Sequence, residues 1–174
     1  GKYIFKNGDS YIGDFSNGEE DGKGIFTYSN GEKYEGDYKN GKRSGRGKFF
    51  FKNGNRYEGE FWNGVKNGKG KFKYPNGNIY DGEWKNDKRD GHGTLNLHRD
   101  GLSSDRIGEP LEWDGEYVGE WKNDAKHGYG IFTFDSGDVY KGNWKDDAFN
   151  GFGRMTYSDG SFFEGEWKDN LPIK

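Results

Sequence analysis

The 174-residue sequence contains no cysteine, only three prolines and a single methionine. Without cysteine there is no disulfide framework and no thiolate metal site, which suits a reducing compartment. No apolar run approaches the roughly 18–20 residues that a transmembrane helix needs. No basic-then-apolar leader opens the chain and no Asn-x-Ser/Thr sequon occurs. These absences suit a soluble intracellular protein, or a fragment of one. Aliphatic side chains are scarce as well: hydrophobic residues are 29% of the chain, and aromatics account for 18%. Too few branched aliphatics remain to fill a conventional layered core at native packing density. Helical bundles are excluded for the same reason, and because glycine costs about 1 kcal/mol per helical position. What is abundant is glycine, 32 residues, matched by 32 aromatics. Low aliphatic content alone would read as disorder. The net charge of only −3 and the aromatic load argue against it.

A repeat organises nearly every residue. Tyr11, Tyr34, Tyr57 and Tyr80 follow one another at 23-residue steps, as do Tyr117, Tyr140 and Phe163. Between Tyr80 and Tyr117 the step is longer by an insertion of 14 residues. The ruler divides the chain into a half repeat (1–10), full repeats 11–33, 34–56, 57–79, 80–116 (with the insertion), 117–139 and 140–162, and a partial repeat 163–174. Repeat positions 1, 5, 16 and 18 hold 25 of the aromatics, and positions 3, 8, 12, 14 and 21 hold 29 of the glycines. A disordered chain has no reason to keep such phase. Fixed self-similarity near this length signals a solenoid in which each unit leans on its neighbours.

Inside a unit the local period is two. Tyr34, Gly36 and Tyr38 point one way and Glu35, Asp37 and Lys39 the other. Gly47, Phe49 and Phe51 share a side opposite Lys48 and Phe50. Two short strands per unit follow. Asn-Gly pairs starting at Asn7, Asn17, Asn30, Asn40, Asn53, Asn63, Asn67, Asn76 and Asn150 supply the turns, since they accept positive φ cheaply. The pattern predicts an all-β, elongated, single-layer antiparallel meander of tandem β-hairpin repeats with few or no helices. In-strand glycine normally weakens a strand, and its recurrence points to a close approach. Here the missing side chain leaves a slot in which a ring from the adjoining strand lies flat.

The units YEGDYKNGKRSGRGKF, YDGEWKNDKRDGHGTL and YVGEWKNDAKHGYGIF closely resemble the MORN (membrane occupation and recognition nexus) repeat, over nearly the whole chain. The resemblance implies a curved or rod-like β meander with an aromatic concave face. It also implies a non-enzymatic role as scaffold or docking module, in cytoskeletal or membrane-associated assemblies, or as an accessory region of a larger enzyme. Leu95, Leu97 and Met155 depart from the pattern by replacing rings.

Three surfaces carry the functional expectations. The first is an aromatic groove for a partner helix or peptide, lined by Tyr34, Tyr57, Tyr80, Tyr117 and Tyr140 in one row. A second row holds Tyr38, Phe61, Trp84, Trp121, Trp144 and Trp167. The second surface is basic. Residues 39–73 hold eleven Lys or Arg against Glu58 and Glu60, and Lys42, Arg43, Arg46, Lys48, Lys66, Lys69, Lys71 and Lys73 form the candidate face for an anionic, phosphoinositide-bearing membrane or an acidic partner. Arg46, Lys48, Lys69, Lys71 and Lys73 fall opposite the aromatic face by parity, and Lys42, Arg43 and Lys66 are assigned to loops. Cross-strand pairing with Glu35, Asp37, Glu58 and Glu60 is the competing reading. The third is a C-terminal cluster of off-pattern rings, Tyr129, Phe149, Phe152 and Phe162, read as an end-to-end homodimer contact or a cap. The repeat-four insertion is a docking element or a tolerated hairpin extension.

Signals for chemistry are weak. No Gly-Lys pair precedes Ser or Thr, so no Walker-type loop exists. His92, His98 and His127 have no partner at metal-ligand spacing. The carboxylates follow the repeat, whereas a catalytic pair would break it. No cofactor and no metal are expected. The acidic pI of about 5.7 and the absence of basic stacking modules argue against nucleic acid.

Overall fold

The computed structural model describes residues 1–97 and 113–173. The described residues form fifteen strands and no helix: β1 (Lys2–Ile4), β2 (Ser10–Ser16), β3 (Glu19–Thr27), β4 (Lys33–Lys39), β5 (Lys42–Phe50), β6 (Arg56–Trp62), β7 (Val65–Lys73), β8 (Ile79–Lys85), β9 (Lys88–Leu97), β10 (Gly115–Lys122), β11 (Ala125–Phe134), β12 (Val139–Lys145), β13 (Ala148–Thr156), β14 (Phe162–Lys168) and β15 (Leu171–Pro172). They follow chain order in one antiparallel sheet of successive hairpins. The strands divide into two compact units, Gly1–Pro75 with Glu83–Asp87, and Asn76–Gly82 with Lys88–Lys174. No helix among the described residues is long and apolar enough to cross a membrane. Most of the repeat-four insertion, with His98, lies outside the described residues.

The register explains the glycines. In the β4–β5 hairpin Tyr34 faces Phe49, Gly36 faces Gly47 and Tyr38 faces Arg43, with a bulge between Gly36 and Tyr38. The Tyr34 ring lies across the Gly36–Gly47 pair. A Cβ on Gly36 would meet both the Gly47 Cα and the Tyr34 hydroxyl at 2.5 Å. The ring thus comes from the glycine's own strand at Gly36 and from the neighbouring strand at Gly47, where the sequence reading had only the neighbour. The Tyr34 hydroxyl then donates to the Asp37 carbonyl at 3.0 Å. Tyr57, Tyr117 and Tyr140 repeat that bond with Glu60, Glu120 and Asn143.

The Asn-Gly pairs split into three uses. Asn17-Gly18, Asn40-Gly41 and Asn63-Gly64 have positive φ at both residues, as a two-residue hairpin turn matching the strand twist requires. Later repeats put Asn86-Asp87, Asn123-Asp124, Asp146-Asp147 and Asp169-Asn170 at the same place, also at positive φ. A side chain there is strained, but it closes a bond to the preceding repeat. Asp87, Asp124 and Asp147 accept the backbone N–H of Lys66, Arg89 and Lys126 at 2.8–2.9 Å. At Asn7, Asn30, Asn53 and Asn76 only the following glycine is at positive φ, and the Asn Oδ1 accepts the N–H two residues on. Asn67 and Asn150 make no turn. They lie inside β7 and β13, where Gly68 and Gly151 stand at positive φ.

Candidate functional site

The two predicted aromatic rows form the packed interior of each unit. In the first unit Tyr34 and Tyr57 are at most 1% exposed, and Tyr38, Phe61 and Trp84 at most 6%. There Tyr38 and Phe61 stand edge-on to the tyrosine of their own repeat and to that of the repeat before. Phe61 lies 5.1 Å from Tyr57 and 5.0 Å from Tyr34, and Trp84 lies 5.4 Å from Tyr57. The second unit repeats this with Tyr80, Tyr117, Tyr140, Trp121, Trp144 and Trp167, all buried. The indoles add directional bonds: Trp84, Trp121, Trp144 and Trp167 donate Nε1–H to the carbonyls of Gly70, Gly93, Gly130 and Gly153 at 3.0–3.2 Å. Burial pushes the phenols of Tyr34, Tyr57, Tyr117 and Tyr140 well above their ordinary range.

Other rings on this face are less deeply buried. In the first unit they run in a zigzag of neighbouring pairs. Phe5 lies 5.4 Å from Phe26, Phe26 4.6 Å from Tyr28, Tyr28 5.8 Å from Phe49, Phe49 4.4 Å from Phe51, and Phe51 5.6 Å from Phe72. Phe49 and Phe72 are buried, whereas Phe5, Tyr28, Phe51 and Tyr74 stay half-exposed. These half-exposed residues occupy repeat position 18, just past the strand end, where cover from neighbouring strands stops. The sequence marked that position as aromatic without separating it from the buried rows. In the second unit Trp113, the first described residue after the insertion, stacks on Phe149 at 4.9 Å and meets Phe132 and Phe134. Leu95, Leu97 and Met155 fill the places of rings and are buried.

Two members of the predicted basic face belong to the aromatic side. Arg43 and Lys66, like Lys42, lie on strands, not in loops. Arg43 sits over Phe49 at 5.1 Å and Phe61 at 5.3 Å, and donates to the Gly64 carbonyl. Lys66 sits over Trp84 at 4.0 Å and Phe72 at 5.1 Å. The reason is register: Arg43 pairs with Tyr38 and Lys66 with Phe61, so both share the ring side. Arg89 over Trp121 at 4.2 Å and the fully buried Lys126 among Trp113, Tyr117, Phe132 and Trp144 continue the series. All four are repeat position 10, a regularity visible in the sequence once that column is isolated.

On the opposite face Lys42, Arg46, Lys48, Lys69, Lys71 and Lys73 are exposed. Three of them face acids across strands, whereas Lys42 faces Lys39 and Lys73 faces Arg56. Lys48 faces both Glu35 and Glu58 and bonds Glu58 at 3.3 Å, Arg46 faces Glu60, and Lys71 faces Glu58. Lys23 and Asp37 pair at 2.6 Å, which holds the Asp37 carboxyl below its usual range. Of the off-pattern rings, Tyr129, Phe152 and Phe162 are 53–57% exposed. Phe149 is only 3% exposed, at the place other repeats give a cation, and stacks on Tyr140 at 3.7 Å. Arg154 lies over Phe162 at 3.9 Å. No group of three or more His, Asp or Glu side chains among the described residues is placed to hold a metal ion.

The family model described as "MORN repeat" matches residues 11–33, 34–56, 57–79, 80–96, 117–139, 140–162 and 163–172. No curated protein matches the sequence. Among solved structures, the chain is similar to the SAS-4 (dCPAP) TCP domain of Drosophila melanogaster, solved in complex with a proline-rich motif of Ana2 (dSTIL). That match has 13% identity and a TM-score of 0.52, over 94% of this chain and 81% of that one. It is also matched to the TCP10c domain of Drosophila melanogaster Sas-4, at 13% identity and a TM-score of 0.47, over 95% and 90% of the two chains. At these identities the likeness concerns the fold alone.

Proposed function

Because the chain belongs to the MORN repeat family, we propose that it is a non-enzymatic scaffold that docks a helix or peptide of a protein partner on its aromatic face. The observation that supports this most is the half-exposed position-18 row, Phe5, Tyr28, Phe51 and Tyr74, packed against Phe26 and the buried Phe49 and Phe72. Such a surface is apolar and rigid, so a partner loses little freedom in ordering it. The buried tyrosines and tryptophans are its foundation. The Drosophila domain of similar fold was solved with a proline-rich motif, which accords with a peptide as occupant. A cytoskeletal or membrane-associated assembly is the setting we favour, whether the chain acts alone or as an accessory region of a larger enzyme.

The test begins with affinity purification and identification of a partner, followed by titration of that purified partner. Tyr28→Ala with Phe51→Ala should weaken binding at least tenfold with the melting temperature little changed. Full-strength binding by that double variant ends the aromatic-face reading. A second reading, docking to an anionic membrane surface, draws on the exposure of Lys69, Lys71 and Lys73. Phosphoinositide vesicles should then retain the chain and lose it when all three become Glu. Exposed Tyr129, Phe152 and Phe162 support an end-to-end homodimer, which light scattering against concentration tests.

A further inference from the structure

One aromatic residue departs from every rule above. Trp62 is 65% exposed, more than any other tryptophan, and it projects to the charged face because it follows inward-facing Phe61. It contributes almost nothing to the packed interior. Its repeat position is held by Ser16 in the first full repeat and by Lys39, Lys85, Lys122, Lys145 and Lys168 in the others. Folding does not explain an exposed indole where lysine is the usual residue.

Its surroundings are equally unusual. At the end of the β4–β5 hairpin Lys39 and Lys42 face each other directly. Like charges so placed destabilise an antiparallel pair. The fold does not demand the second lysine, since Lys122 and Lys145 face Ala125 and Ala148 at the equivalent places. Asp21 takes Lys39 at 3.0 Å. On the far side of Trp62 its facing residue on β7 is Val65. The indole thus has the paired lysines on one side and a valine on the other. Lys39, Asn40, Lys42, Ser44, Trp62 and Asn63 border a shallow depression of about 310 Å³.

We propose that this depression is a second docking site, distinct from the aromatic face, for an acidic linear peptide. Carboxylates of the peptide lie between Lys39 and Lys42, and an adjoining apolar side chain covers the Trp62 indole. Charge complementarity selects the occupant: an acidic chain relieves the Lys39–Lys42 repulsion, and only a chain with an apolar residue beside its acids uses the indole. The Asn40 and Asn63 amides and the Ser44 hydroxyl border the same depression and would offer polar partners to a peptide backbone. With this site the scaffold carries one recognition surface on each face of its sheet.

The probe is a blocked peptide of four glutamates and a leucine, titrated into the full chain by calorimetry and by NMR. Signals of the Trp62 indole N–H and the Lys39 and Lys42 amides should move, and binding should weaken steeply with salt. Trp62→Ala, and separately Lys39→Gln with Lys42→Gln, should each lower affinity at least tenfold. These sites are exposed, and an unchanged circular dichroism spectrum will show that the fold persists. Tyr28→Ala with Phe51→Ala should bind the peptide like the parent, so the two surfaces fail or succeed separately. Equal binding of a tetralysine-leucine peptide overturns the proposal, as do shifts centred on Phe51. Retention on anionic vesicles with no response to the peptide overturns it too.

Discussion

The ring of Tyr34 fills the space that a side chain at residue 47 would need. Gly47 lies on the adjoining strand, directly opposite Gly36, and a Cβ there would overlap the Tyr34 hydroxyl and ring carbons. The same relation joins Tyr11 to Gly24, Tyr57 to Gly70 and Tyr140 to Gly153. The thin sheet has an interior because each tyrosine at repeat position 1 is laid against glycine.

Gly47→Ala should therefore act through the tyrosine. The ring must lift, breaking its bond to the Asp37 carbonyl and its edge contact with Phe61. Overpacking of a full core costs about 1–3 kcal/mol, and loss of the hydroxyl's partner adds about 1 kcal/mol. The control is Gly31→Ala, where no atom lies within 4 Å of the added Cβ and only the positive φ of 92° resists. Denaturant melts should place Gly47→Ala below Gly31→Ala. Equal losses at the two positions would mean that the slot is not what fixes Gly47.

Lys126 offers a test of the buried cation series. It is fully buried among four rings, with Asp147 at 3.9 Å. One repeat later Phe149 holds the equivalent place and stacks well. A buried charge replaced by an apolar group of similar volume is often neutral or stabilising. Lys126→Met should thus shift stability by no more than about 1 kcal/mol in either direction. Lys126→Glu, by contrast, sets an acid against Asp147 inside the core and should cost about 3 kcal/mol or more. Thermal melts of the two variants separate packing from charge.

Much of this architecture was legible from spacing. The alternation of Tyr34, Gly36 and Tyr38 against Glu35 and Asp37 placed both faces, because strand side chains alternate without exception outside bulges. The bulges limited the reading. The register shift between Gly36 and Tyr38 sets Arg43 beside the rings, and no local pattern announces it. Trp62 was legible only as an exception, since its meaning lies in what stands beside it across strands. The depth of the rings was not legible: those of the two predicted rows, at positions 1 and 5, are buried, and those at position 18 stay half-exposed in the first unit. Rings at positions 1 and 5 neighbour strands on both flanks, whereas position 18 lies just past a strand end.

The hairpin turns make a sharper comparison. Asp87 sits at a φ of 66°, and its Oδ1 accepts the Lys66 N–H at 2.9 Å. Asp87→Ala keeps the strained backbone and loses the bond, so it should cost about 1–2 kcal/mol. Asp87→Gly loses the bond but relieves the strain, and should cost less than half as much. Hydrogen exchange at the Lys66 amide should speed up in both variants. If exchange is unchanged, the carboxylate is not what ties the two repeats together.

Alkaline pH should unfold the protein through its tyrosines. Burial raises the folded-state pKa of Tyr34, Tyr57, Tyr117 and Tyr140 above the ordinary phenol value of 10.0. In the unfolded chain those phenols lose their protons near pH 10. The folded state therefore binds more protons above that pH, and stability falls as pH rises. Stabilisation from these four groups is complete below pH 10 and is lost progressively above it. Phenolate absorbance of the buried set should rise in a cooperative step that coincides with loss of the aromatic circular dichroism signal. Replacing Tyr34 and Tyr57 with Phe removes two of the titrating groups along with their bonds to the Asp37 and Glu60 carbonyls. That variant should be less stable at neutral pH but lose stability less steeply with pH above 10. A single smooth titration of all tyrosines with the fold intact would show that the phenols are not held as the structure places them.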